Sequence, residues 1–93
     1  MSEETVEVYR AMDDARRDRR QAWRRENLRV LDRAGLLTRC RSANEGESLL
    51  FREAGKPKVD FFPSSGLWRA HNQTFRGGGR AFAQWYKKQE SAP

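Results

Sequence analysis

The spacing of apolar residues changes along this chain, and each change marks an expected element. From about Thr5 to Ala34 there is no proline or glycine and there are many strong helix formers, so one uninterrupted helix is expected. At about 100° per residue, Trp23, Leu28, Val30, Leu31 and Ala34 fall on one broad face, with Arg25, Arg29 and Asp32 across from it. Gly35 then gives a clear stop, because it tolerates the left-handed conformation and lets Leu36 fold back onto Leu31. Upstream, Tyr9 and Met12 continue the line of Trp23, but Arg16 and Arg19 interrupt it. The run DDARRDRR (13–20) is therefore not ordinary core. It is either a solvated helix laced with Asp–Arg pairs or a basic arm projecting from the domain.

After Gly35 the period falls towards two. LLTRCRS (36–42), SLLFRE (48–53), KVDFF (58–62) and LWRAH (67–71) read as strands separated by turns at 43–47, 54–57 and 64–66. Pro63 ends the third of these. Residues 72–79 read as a loop, Arg80 to about Gln89 as a closing helix, and the tail ESAP is expected to fray. Phe82 and one of Trp85 and Tyr86 should point inward. Only one of Phe61 and Phe62 can do so fully, since strand side chains alternate. The expected fold class is α+β: a long N-terminal helix, an antiparallel meander of 3–4 strands and a short C-terminal helix. Residues 1–22 form a charged helical extension and 23–90 a single domain. Trp68, Leu50 and Leu31 are expected to share its core.

The chain has 93 residues, enough for one modest core. Charged residues make up 34%, yet the aromatic content of 11% argues against a disordered chain. No apolar run is long enough to span a bilayer, and the acidic start MSEETVEVYR does not resemble a secretory signal. A single cysteine, Cys40, cannot form an internal disulfide and fits a reducing cytoplasm. Together with a single histidine, His71, it leaves too few ligands for zinc, and no cofactor motif is visible.

Charge is the strongest functional signal. The net charge is +6, and arginine predominates over lysine. The first fifteen residues are acidic, whereas residues 16–41 are densely basic. Guanidinium groups suit bidentate contacts with phosphate or carboxylate. The candidate contacts are Arg16, Arg19, Arg20, Arg24, Arg25 and Arg29 on the first helix, with Arg69 on a strand. A second set comprises Arg76, Gly77, Gly78, Gly79, Arg80, Lys87 and Lys88. In FRGGGRAFAQWYKK (75–88), the glycines and a helix start beside two arginines either grip an anion or merely form a flexible connection. Neither a Walker loop nor a dinucleotide fingerprint is present.

The segments ENLRVLDRAGLL, VDFFPSSGLW and FRGGGRAF together resemble small phage and prophage proteins. Their shared pattern is N-L-x-x-L-x-x-x-G, then D-F-x-P-[ST]-[ST]-G-x-W, then a Gly/Arg-rich stretch. The matching residues are Asn27, Leu28, Leu31, Gly35, Asp60, Phe61, Pro63, Ser64, Ser65, Gly66, Trp68, Gly77 to Gly79 and Arg80, covering roughly residues 26–86. The resemblance implies a mobile-element origin, and similar small proteins block host defences, anti-CRISPR proteins among them. The expected function is therefore non-enzymatic binding of nucleic acid or a host nucleoprotein, such as a CRISPR-Cas effector, without membrane association. The alternatives are a double-stranded RNA- or DNA-binding domain, an inhibitor facing protein alone, and a small hydrolase or transferase using His71 and Asp60.

Overall fold

The computed structural model describes residues 3–89, with side-chain environments from Arg10 onward. The tail at 90–93 and the side chain of Tyr9 lie outside the described residues. The fold is α+β. Helix α1 (Glu3–Arg33) is followed by a 3-10 turn (Leu37–Arg39) and strands β1 (Cys40–Ala43), β2 (Ser48–Phe51), β3 (Val59–Phe62), β4 (Leu67–Ala70) and β5 (Gln73–Arg76). Helix α2 (Gly78–Lys88) closes the chain. All five strands pair antiparallel with their sequence neighbours, in the order β1-β2-β3-β4-β5.

The sheet has one strand more than the upper bound expected. Residues 72–79 are not a loop, because His71 and Asn72 both take positive φ (53° and 60°) and turn the chain tightly into β5. Two consecutive residues with positive φ suit the right-handed twist of a hairpin, and here neither is glycine. Residues 36–39 are not strand either. Gly35 (φ 75°) ends α1 as expected, with its N–H donating to the Asp32 carbonyl at 3.0 Å and that of Leu36 to the Leu31 carbonyl at 2.9 Å. Leu36 is thereby fully buried, and the Arg39 N–H continues the turn by bonding the Leu36 carbonyl. These local bonds leave the backbone of 37–39 in a 3-10 turn, with the ladder starting at Cys40.

Side chains directly across an antiparallel ladder share a face. The row Leu49–Phe61–Trp68–Phe75 faces inward, and Phe51 and Val59 join it from the next inward row. Phe61 is buried and Phe62 half-buried on the opposite face. Leu50 also lies opposite, so Leu49 rather than Leu50 joins Leu31 and Trp68 in the core. Helix α2 sets Phe82 among Phe51, Phe61 and Trp68, with ring centroids 5.1, 4.7 and 5.4 Å away. Tyr86 is buried beside it, and Trp85 only partly. The C-terminal part of α1 then packs against α2.

At roughly 1.5 Å per residue, α1 is about 46 Å long. Since the molecule measures 65 × 27 × 22 Å, most of its elongation comes from this helix overhanging the domain. Every described side chain from Arg10 to Ala22 is exposed.

Candidate functional site

The inward line of α1 changes character halfway along. At its C-terminal end the line is Asn27 and Leu31, both buried. Stepping back by three or four residues keeps to the same side of a helix, and there the line becomes Arg24, Arg20, Arg17 and Arg16. These arginines, with Asp13, Gln21 and Arg25, form one wall of an open groove of about 870 Å³. The opposite wall comes from two hairpin turns, through Glu45 and Glu47 between β1 and β2 and Ser64 between β3 and β4. Arg24 fixes this geometry by donating from Nη2 to the Gly46 carbonyl at 3.2 Å.

The groove is electrostatically unbalanced. Among the described residues the ion pairs are Arg29–Glu26 and Arg52–Asp60, so none of the groove arginines is neutralised there by a close carboxylate. Arg16, Arg20 and Arg24 stand four residues apart, a spacing at which like charges destabilise a helix by a few tenths of a kcal/mol per pair. An anion seated between them would remove that repulsion.

Asn27 positions the elements around this groove. Its Nδ2 donates to the Pro63 carbonyl at 2.7 Å, and its Oδ1 accepts from the Gly79 N–H at 2.8 Å. One buried amide therefore joins α1, the β3–β4 turn and the start of α2. The packing is so close that a Cβ on Gly79 would lie 2.9 Å from the Asn27 carbonyl oxygen. On Gly78 a Cβ would lie 2.7 Å from the Trp23 ring, and on Gly66 2.9 Å from the Cα of Gly78. Gly78 also donates its N–H to the Gly66 carbonyl at 3.0 Å. Asn27, Pro63, Gly66, Gly78 and Gly79 thus form a packing junction, roofed by Trp23, which remains 42% exposed.

This junction accounts for RGGGR differently from an anion grip. Helix α2 begins at Gly78, not Arg80, and Gly78 and Gly79 are buried with their N–H groups already bonded inside the protein. Those amides are not free to cradle an anion, and close packing accounts for the glycines. Gly77 takes φ 143° and remains exposed, as do Arg76 and Arg80 on either side of the run.

The expected contact residues do not form one surface. Arg16, Arg20, Arg24 and Arg25 line the groove, together with Arg17, which is not among the candidates the sequence singles out. Arg17 carries a signal of its own, since it lies three residues before Arg20 and seven before Arg24. Arg19 bonds back to the Ala15 carbonyl at 3.4 Å, and Arg29 pairs with Glu26 on an exposed part of the helix. Arg69 and Arg76 stand on the sheet face opposite the core, and Lys87 and Lys88 are exposed in the last turn of α2.

Asp60 is on that outer face too, where Arg52 Nη2 donates to Oδ1 at 2.7 Å, and His71 is exposed in the β4–β5 turn. Cys40 is half-buried, and burial pushes its thiol pKa up, away from nucleophilic thiolate character.

Among the described residues, no helix is long and apolar enough to cross a membrane. No protein-family model matches the chain, and no curated protein or solved structure matches it significantly.

Proposed function

We propose that this chain is a non-enzymatic, arginine-rich accessory protein that binds nucleic acid or a nucleoprotein through the groove beneath the overhanging half of α1. The observation that carries the reading is the line of arginines at positions 16, 17, 20 and 24, without ion pairs among the described residues and held against two hairpin turns. A line of cations along one wall of a cleft raises the local positive potential and attracts phosphate polymers. Folding leaves Arg16, Arg17 and Arg20 exposed, with Arg24 half-buried and bonded to the Gly46 carbonyl, so a ligand supplies a reason for the exposed charges that stability does not. The resemblance to phage proteins extends the proposal to inhibition of a host defence complex in the bacterial cytoplasm.

Glu45 and Glu47, on the far wall, favour a second reading in which the partner is a nucleoprotein and its protein component meets the turns. The test is a titration of nucleic acid against the whole chain at several salt concentrations, paired with capture from a bacterial lysate before and after nuclease treatment. Affinity that falls steeply with salt, and capture abolished by nuclease, are the expected results. Capture that survives nuclease, even where it falls with salt as ion pairs do, would replace nucleic acid with an acidic protein surface.

A further inference from the structure

The sheet face turned away from both helices carries a second row of unmatched charge. The register sets Arg41, Leu50, Asp60, Arg69 and Thr74 across it in one line, and Phe62, Leu67 and Arg76 in the next. Arg41, Arg69, Thr74 and Arg76 are exposed, whereas Leu50, Phe62 and Leu67 are half-buried. Asp60 is held by Arg52, so its charge is already engaged although Arg69 is its ladder partner. What remains is an apolar strip with an aromatic ring, flanked by guanidinium groups that have no ion pair among the described residues.

We propose that this face binds single-stranded nucleic acid, with bases lying on Phe62 and Leu67 and phosphates meeting Arg41, Arg69 and Arg76. The inference rests on the polyanion-binding reading for the class of ligand, but it uses a different surface. Complementarity selects the occupant. A second copy of the chain would bring the same cations face to face. A duplex hides its bases in the stack, and a five-stranded sheet, roughly 19 Å across at about 4.8 Å per strand, cannot enter a major groove about 12 Å wide. An unpaired strand offers both components of the match, exposed base faces for the apolar strip and phosphates for its margins.

The experiment uses the whole chain, a labelled single strand of mixed sequence, and the duplex made by annealing its complement. Two sheet variants are compared, Phe62→Leu and the pair Arg69→Ala with Arg76→Ala. An arm variant carries Arg16→Ala, Arg17→Ala and Arg20→Ala. Phe62→Leu is expected to weaken single-strand binding about tenfold or more while leaving duplex binding unchanged, as loss of a stacking platform should. The exposed arginine pair keeps the fold and is expected to weaken the single strand as well. If both sheet variants bind the single strand like wild type, or lose the duplex equally, the inference is overturned. Polyglutamate competing as well as the single strand, regardless of Phe62, overturns it too. Weakening in the arm variant alone would leave the groove reading standing and remove this one, and weakening in the sheet variants alone would do the reverse.

Discussion

Helix α1 presents one face to two environments. From Asn27 to Leu31 that face is buried, with an amide satisfied on both sides and an aliphatic chain in the core. From Arg16 to Arg24 the same face meets water across an open groove and carries like charges. The helix runs through the boundary unbroken. The comparison teaches that helical continuity and domain membership are separate properties. One half is fixed by burial, whereas upstream of Trp23 every described side chain is exposed and free to specialise.

The largest break in that comparison should come from Asn27→Ala. Removing the amide leaves the Pro63 carbonyl and the Gly79 N–H without their partner, and each buried unsatisfied group costs about 1–3 kcal/mol. A total destabilisation of about 3–5 kcal/mol is expected in urea unfolding, a large share of what a domain of this size has. A value below about 1 kcal/mol would show that water replaces the amide. By contrast, Arg16→Ala with Arg17→Ala and Arg20→Ala should shift stability by no more than about 0.5 kcal/mol per site, because exposed charges contribute little. The same triple variant should weaken binding to a phosphate polymer and flatten its salt slope by about one unit for each phosphate no longer neutralised. An unchanged slope would assign the arginines to solvent alone.

Trp23 sits at the boundary and sharpens the comparison. Gly78→Ala places a Cβ 2.7 Å from the Trp23 ring at a residue with φ 84°, so it suffers both a clash and backbone strain. Adding Trp23→Ala should relieve the first but not the second. A double-mutant cycle is expected to give a coupling of about 1 kcal/mol or more, and strict additivity would mean that the ring swings aside without cost.

A separate, pH-dependent effect lies at Tyr86. Its hydroxyl donates to Glu53 Oε1 at 2.8 Å, and Lys56 Nζ lies 4.2 Å from its ring centroid. Burial, reinforced by the bond to Glu53 and by that residue's charge, raises the phenol pKa above its ordinary value of about 10. The folded state thus favours the neutral phenol. The resulting stabilisation is complete below pH of about 10 and is lost as pH rises towards the raised folded value. Cys40, also raised by burial, contributes to the same alkaline decline. Tyr86→Phe should cost about 1 kcal/mol at neutral pH and make the decline shallower. A variant curve parallel to wild type at alkaline pH would remove Tyr86 from the account.

Much of this architecture is legible in the residues. Gly35 with Leu36 specifies the end of α1, and alternation allows only one of Phe61 and Phe62 inward, which proves to be Phe61. Strand β5 is harder to read because its turn, His71-Asn72, lacks glycine and because Gln73, Thr74 and Arg76 are polar on an edge strand. The role of Asn27 is also hidden. Its partners lie 36 and 52 residues away, and an asparagine within a helix gives no local sign of what it will bind. The same distance conceals the purpose of Gly78 and Gly79, which resemble a ligand loop until α1 is laid across them. The arginine line is visible as helix periodicity, but the groove it faces exists only once the hairpin turns are in place.

The meander also has a consequence for how the chain folds. Every strand pairs with its immediate sequence neighbour, so the sheet closes short loops only, and low contact order favours rapid folding. The Asn27 junction instead closes a span of 52 residues, and that entropy is recovered only after both the β3–β4 turn and the start of α2 exist. The junction should therefore form late, after the transition state. Conservative substitutions at Asn27 are expected to accelerate unfolding while scarcely slowing refolding, with φ near zero, whereas Leu49 and Phe61 should slow refolding. In a stopped-flow chevron, a slowed refolding limb for the Asn27 variant would reverse this order.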